Sequence, residues 1–356
     1  MEQAISILIS WYKENKRALP WRMEPSPYHV WISEIMLQQT RIEAVISYYH
    51  RFLEELPTVF ELAHVDEDKL LKLWEGLGYY NRARNLKKAA QIIVERYHGE
   101  FPSTYSDILQ LPGIGEYTAS AIASICFSEP QVTIDGNVLR VYTRVYNCYE
   151  NIDRLTTRRQ IREHLMTVIP AQAGEFNQAL MELGEVVCIP HGVPRCHLCP
   201  LHDVCLSRKN RTFLSLPIRN PKKEKQVENY TVLLLKYHDK YAICQRGETG
   251  LLANMWQFPM LPGDYSLDEV EQYLNDCGCE LSTLHSAISY IHVFTHKKWK
   301  MSSYSIGVNF CPTDLIQDVG KYNWVSLEEL ISKYAMPSAF LPFLNFLIDS
   351  SNGRIN

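Results

Sequence analysis

Leu111-Pro112-Gly113-Ile114-Gly115-Glu116-Tyr117-Thr118-Ala119 is the stretch on which the fold turns. Two glycines flank one apolar residue, which makes a tight turn, and helical spacing begins at once on its far side. Backbone N–H groups at such a turn and at the following helix N-terminus can hold a phosphate without any lysine. An isolated Gly-x-Gly would be read as an ordinary interhelical turn, so the surroundings have to decide.

Outward from this turn the first 210 residues read as helix after helix. Ile5, Leu8, Ile9 and Tyr12 fall at helical spacing, as do Ile42, Val45, Ile46 and Tyr49, and residues 81–97 repeat the pattern. Helical signals return at 116–127, 137–147, 159–168 and 174–187. From 214 to 229 the texture changes, with Pro217, Pro221 and the run Lys222, Lys223, Glu224, Lys225 suggesting a solvated linker. Thr231–Tyr237 and Tyr241–Arg246 then predict a hairpin, and β-rich stretches at 288–295 and 299–309 with a helix near 266–276 complete an α+β domain. The expected organisation is an all-α domain over 1–213, a linker over 214–229 and a mixed domain over 230–356.

The 356 residues carry a formal net charge of −4, and residues 1–220 hold 24 basic against 25 acidic side chains. Bulk charge therefore does not attract nucleic acid, and any grip on DNA must come from local arrangement. No run of 18 uncharged apolar residues is present, which argues against a membrane span. Nothing at the N-terminus reads as a signal peptide, so a reducing, cytoplasmic setting is expected.

Cys188, Cys196, Cys199 and Cys205 lie within 18 residues, separated by seven, two and five residues. Four thiolates at this density suit a tetrahedral zinc or an iron–sulfur cluster. The spacing by itself does not choose between them.

Together these stretches resemble the helix–hairpin–helix DNA glycosylases. Leu111–Gly115 is similar to their hairpin, with Gly113 and Gly115 as DNA-contacting glycines. Asp135, within Val132-Thr-Ile-Asp-Gly-Asn-Val-Leu-Arg-Val141, is similar to their essential aspartate. The cysteines follow where that family carries a [4Fe-4S] cluster, although seven residues separate the first pair where six are commoner; zinc stays the alternative. Trp31-Ile-Ser-Glu-Ile-Met-Leu-Gln-Gln-Thr40, preceded by Leu19-Pro-Trp-Arg22, and Trp74-Glu-Gly-Leu-Gly-Tyr-Tyr80 narrow the resemblance to adenine glycosylases of the MutY type. Gly250-Leu-Leu-Ala-Asn-Met-Trp-Gln-Phe-Pro259 and Phe294-Thr295-His296 resemble that family's C-terminal, Nudix-like domain.

The resemblance implies roles residue by residue. Glu34 would be the general acid that protonates adenine N7 and later helps activate water, its apolar neighbours raising its pKa. Asp135 would stabilise positive charge at sugar C1′, electrostatically or covalently, in the two-carboxylate logic of glycoside hydrolysis. It could equally cap a helix, and the two roles are compatible. Tyr117 stands where lyase-type relatives such as endonuclease III carry a Schiff-base lysine. No lysine lies between Lys88 and Lys209, so base removal should stop at an abasic site. Arg17, Trp21, Leu37 and Gln178 would line the adenine pocket. Gln39 and Tyr79 would wedge into the duplex, with Thr40 and Leu77 beside them, once the base is flipped out. Phe294, Thr295 and His296 would inspect the base opposite adenine, with threonine where many relatives have serine. Lys297, Lys298 and Lys300 could add phosphate contacts or form a solvated strand edge.

After Gly263 the chain offers acids but no Arg-Glu-x-x-Glu-Glu, so nucleotide hydrolysis is not expected. The leading expectation is a monofunctional enzyme, monomeric and bacterial, acting at the nucleoid on double-stranded DNA with adenine opposite 8-oxoguanine or guanine. A lyase-type glycosylase for oxidised pyrimidines and a non-catalytic mismatch-binding protein are the alternatives.

Overall fold

In the first compact unit, packing is set by where side chains are small. The helix Glu116–Phe127 buries Thr118, Ala119, Ser120, Ala121, Ile122, Ala123 and Ser124, nearly all small. Such a surface lets another backbone come close. Ala173–Val186 does so through Gly174, where a Cβ would stand 2.6 Å from the Ser124 carbonyl oxygen. Further along, Gly184 repeats the device against Gly136–Val145, and a Cβ there would meet Asn137 Cβ at 2.6 Å. Buried Asn177 ties down the connector between the two neighbours. Its amide donates to Ser124 Oγ at 2.9 Å and the Gln131 carbonyl at 2.7 Å, and its Oδ1 accepts from Thr133 N at 3.1 Å. The chain therefore arrives at Asp135 in a fixed position.

The computed structural model describes residues 2–221, 224–311 and 322–352. It divides into two units, Met1–Val65 with Asn85–Lys222, and Asp66–Arg84 with Lys223–Asn356. The core of the first brings Leu8 and Tyr12 of Glu2–Asn15 against Val138, Val141, Phe176, Leu180 and Leu183.

The second unit is a mixed sheet. Its strands are β1 (Gln226–Tyr237), β2 (Lys240–Gln245), β3 (Trp256–Gln257), β4 (Met260–Pro262), β5 (Glu280–Val293), β6 (Lys297–Phe310) and β7 (Asn323–Ser326). The order is β3-β2-β1-β6-β5, with β4 on β1 and β7 on β2. β1 and β6 run parallel, while β5 and β6 form a long antiparallel hairpin. Thr231–Leu235 is continuously buried because both faces of β1 are covered. Val232 and Leu234 face a cluster with Phe340 and Phe343, whereas Leu233 and Leu235 face Val270 and Leu274.

Two boundaries differ from the sequence reading. β1 starts at Gln226, inside the stretch expected as linker, because Gln226–Tyr230 pair with Lys297–Met301. Lys222 and Lys223 lie outside the described residues. Asp66–Arg84, expected in the helical domain, groups with the second unit. Lys72 Nζ donates to the Tyr334 carbonyl at 3.2 Å, Glu75 accepts from Met336 N at 2.7 Å, and Arg84 donates to the Ala253 carbonyl at 3.1 Å. Two of the acids after Gly263 have structural partners. Glu269 closes a capping box with Ser266, and Asp264 accepts from Ser302 Oγ at 2.8 Å.

The Gly174 approach is to backbone, which cannot swing aside. Gly174→Ala should destabilise the protein by about 1–3 kcal/mol in urea unfolding. An unchanged midpoint would show that the two helices do not need this contact.

Candidate active site

Ser26 caps the helix Pro27–Leu37, its Oγ accepting from His29 N at 3.1 Å, and Val30 through Met36 are all buried. Glu34 sits within that apolar run at 8 % exposure. Burial dominates its titration and pushes it from the ordinary 4.5 to about 7. A hydrogen bond with Tyr117 opposes the rise, the negative charge of Asp135 adds to it, and Arg22 opposes it. Burial pushes the Tyr117 phenol well up, which keeps it a proton donor, and its hydroxyl also lies 3.2 Å from Met181 Sδ.

Asp135 is the N-cap of Gly136–Val145. One carboxylate oxygen accepts from Val138 N at 2.7 Å and the other from Asn137 Nδ2 at 2.8 Å. Burial raises its pKa, and those two donors with Arg140 pull against the rise. Capping and a place in the site coexist in this one residue.

Arg17, Trp21, Glu34, Leu37, Gln39, Thr40, Tyr117, Asp135 and Gln178 all line one pocket of about 540 Å³. That volume suits a small-molecule or base-sized ligand. Gln178 donates to the Gly174 carbonyl at 3.2 Å, which fixes its amide orientation, and Oε1 accepts from the Tyr12 hydroxyl at 2.9 Å. Trp21 is nearly buried, edge-on to Tyr49 at 5.4 Å, so it forms a wall. Gln39 is exposed just past the helix end with φ +60°. Lys16 is exposed beside the same pocket, its ammonium 5.6 Å from the Tyr12 ring.

The sequence reading missed the strongest charge cluster here. Glu182, 1 % exposed, accepts from Arg17 Nε at 2.7 Å and from Arg22 at 2.9 Å. Burial alone would raise this carboxyl, but the hydrogen bonds from the two arginines prevail and hold it at about 2. Gln178 and Glu182 are four apart on one helix, and that spacing was the available signal.

In the hairpin, Gly113 takes φ +77°, and a Cβ there would meet Asn85 Cβ at 2.6 Å. Gly115 caps Glu116–Phe127 with nothing within 4 Å of where a Cβ would stand, so the turn is open on that side.

Cys188, Cys196, Cys199 and Cys205 line a single small cavity together with Arg144 and His202. Arg144 stands 3.3 Å from Cys188 Sγ, and Cys205 Sγ donates to the Arg144 carbonyl at 3.4 Å. Burial raises the thiols of Cys196 and Cys199, and charge on the neighbouring cysteines raises them further. Four cysteine sulfurs around one cavity are a donor set whose chemistry fits a thiolate-bound metal group. Among the described residues no three Cys, His, Asp or Glu side chains stand grouped at ligating distance.

In the second unit Phe294, Thr295 and His296 form the tip of the β5–β6 hairpin, closed by Phe294 N donating to the Lys297 carbonyl at 2.9 Å. Phe294 packs edge-on against Trp299 at 4.8 Å, and Thr295 and His296 are exposed. Tyr79 is 47 % exposed, and its hydroxyl hydrogen-bonds Thr295 Oγ1. Leu77, by contrast, is buried at 6 %. Lys297 is paired with Glu228 at 2.6 Å, so it is not an uncommitted phosphate ligand.

Residues 32–171 match the HhH-GPD superfamily of base excision DNA repair proteins, and residues 230–345 match the NUDIX domain. A solved non-covalent endonuclease III–DNA complex is similar over 60 % of this chain and 98 % of its own, with a TM-score of 0.50 and 26 % identity. Fold and site thus define a helix–hairpin–helix base excision repair protein carrying a Nudix-like C-terminal domain. The chain is 34 % identical to the adenine DNA glycosylase of Buchnera aphidicola subsp. Acyrthosiphon pisum, covering 82 % of each. It is also 34 % identical to that of Arabidopsis thaliana, over 83 % of this chain and 55 % of the plant protein. It belongs to the adenine DNA glycosylase family.

Glu34 yields a stability prediction whose sign is fixed. Its folded pKa, about 7, exceeds the ordinary 4.5, so the folded state holds a proton that the unfolded state has lost between those values. Stability therefore falls as pH rises from 4.5 to 7, and the full cost persists above 7. Glu34→Gln should remove this cost, raising unfolding stability at pH 8 by on the order of 3 kcal/mol. At pH 4 the gain should vanish. An equal effect at both pH values would contradict the buried, proton-binding Glu34.

Proposed function

We propose that this chain is a monofunctional DNA glycosylase that excises adenine paired with 8-oxoguanine or guanine in double-stranded DNA. The observation that carries this reading is the pairing of Glu34 and Asp135 in one pocket, with Tyr117 facing the glutamate.

Breaking the bond between adenine N9 and C1′ sends its electron pair into the base, which leaves readily only if protonated. With its pKa near 7, Glu34 holds a transferable proton at neutral pH. Asp135 carries its charge against the Val138 N–H and the Asn137 amide and faces the positive charge that builds at C1′. Water then adds at C1′, and its proton passes to Glu34. Arg17, held by Glu182, and Gln178, held by Tyr12, are fixed pocket walls that can sort bases by their edges. On the DNA side, the backbone at Gly113–Gly115 suits a phosphate, and Gln39, Thr40 and Tyr79 suit the strand around the flipped nucleotide. The Phe294–His296 tip suits the opposing base. Cys188, Cys196, Cys199 and Cys205 would hold a [4Fe-4S] cluster, which when bound cross-links its loop.

Lys16 gives the lyase reading its one concrete amine, since it lines the pocket. Single-turnover excision from duplexes with adenine opposite 8-oxoguanine, guanine or thymine separates the readings. Strand breaks should appear only after alkali, fastest opposite 8-oxoguanine and absent opposite thymine. Breaks without alkali, lost in Lys16→Ala, would make the protein a lyase. Glu34→Gln should lower excision by roughly 10²–10⁴-fold while duplex binding persists. Binding by the unaltered protein with no excision would leave a mismatch-binding protein.

Purified anaerobically, the protein should carry iron and acid-labile sulfide with broad visible absorbance, and Cys199→Ser should lose both. Stoichiometric zinc without iron would instead assign the site to a structural zinc.

A further inference from the structure

The β5–β6 hairpin has a second end, opposite the Phe294–His296 tip. Glu280 and Phe310 form the last pair of its ladder, and the residues one step beyond are Cys279 and Cys311. Their sulfurs lie 3.3 Å apart, with the Cys279 thiol donating to Cys311. Neither is in a disulfide. The ladder is irregular just here, with register shifts at Glu280/Leu281 and Leu281/Thr283. Cys279 is held in place by its N–H on the Leu274 carbonyl at 3.0 Å.

We propose that Cys279 and Cys311 are a peroxide-sensitive thiol pair that closes a reversible disulfide across the base of the hairpin whose tip is Phe294–His296. Residues directly opposite in an antiparallel pair stand at the separation a disulfide spans, and the sulfurs need approach only from 3.3 Å to about 2.05 Å. The two thiols are not equivalent. Cys279 is 6 % exposed, whereas Cys311 is half-buried and open to a small oxidant. The hydrogen bond from Cys279 lowers the Cys311 thiol and raises Cys279, so Cys311 is the attacking sulfur.

In the first step Cys311 sulfur attacks one oxygen of hydrogen peroxide, the O–O bond breaks, and the other oxygen leaves as water, giving a sulfenic acid. In the second, Cys279 sulfur attacks Cys311 sulfur, the S–O bond breaks, and a second water leaves. Two thiols and one peroxide become one disulfide and two waters. A dithiol reductant reverses the change by exchange.

The test uses the full-length, iron-loaded protein exposed to hydrogen peroxide, with remaining thiols then blocked and peptides mapped by mass spectrometry without reduction. The expected product joins the Cys279 and Cys311 peptides, lighter by two hydrogens, and disappears with dithiothreitol. It should persist in Cys277→Ser and be absent in Cys311→Ser. Oxidation of Cys311 to the sulfinic acid with no joined peptide would overturn the proposal, as would a bond from Cys311 to Cys277. The unaltered protein alone decides between these outcomes, so the result stands even if a variant folds poorly.

Discussion

The helix Ala173–Val186 can touch two neighbours at once because two of its positions carry no side chain. Gly174 admits the Ser124 carbonyl on one side, and Gly184 admits Asn137 on the other. That double approach brings two helix N-termini and the middle of a third helix to one place. Tyr117 lies in the first turn of one helix, Asp135 caps the second, and Gln178 and Glu182 face inward from the third. Glu34 comes from a fourth helix, whose apolar sequence drives it into the interior. The site is thus a by-product of close packing, and its precision is that of the packed interior.

Among the carboxylates that line the pocket, Glu182, Glu34 and Asp135 are separated by their surroundings. Glu182 has two arginines and stays ionised at about 2. Glu34 has apolar neighbours, one phenol and a second carboxylate nearby, and rises to about 7. Burial raises the Asp135 carboxyl, and its two N–H donors pull against the rise. Under the proposed function, these carboxyl groups are sorted into a structural anion, a proton carrier and a fixed charge. The cost falls on Glu34, whose burial spends stability that an amide would keep.

Much of this was legible in the sequence where the signal is local. Apolar periodicity located 116–127 to the residue, and the quoted motifs hold seven of the nine residues named for one pocket, Arg17 and Gln178 lying outside them. What escaped depends on the third dimension. Asp66–Arg84 reads as ordinary helix and turn, and its hydrogen bonds to Ala253, Tyr334, Met336 and Thr295 tie it to the second unit. Glu182 looks like any acid on an amphipathic helix until Arg17 and Arg22 close on it. Within Trp74–Tyr80, Leu77 is buried along with Trp74 and Tyr80, while Tyr79 is exposed. Motifs name neighbourhoods; they do not say which side chain faces in.

The cap made by Asp135 has a consequence beyond chemistry. An asparagine in its place would still accept from the Val138 N–H, so the helix would start as before while the fixed charge was gone. Under the proposed function, loss of activity at this position is uncoupled from loss of fold. A lineage that acquired such a change would not clear the product as misfolded protein. It would accumulate an intact molecule able to occupy the very sites it can no longer process, shielding them from whatever else might act there. Where the catalytic duty proposed for Asp135 and its capping duty share one side chain, the most harmful substitution is the one that preserves the structure.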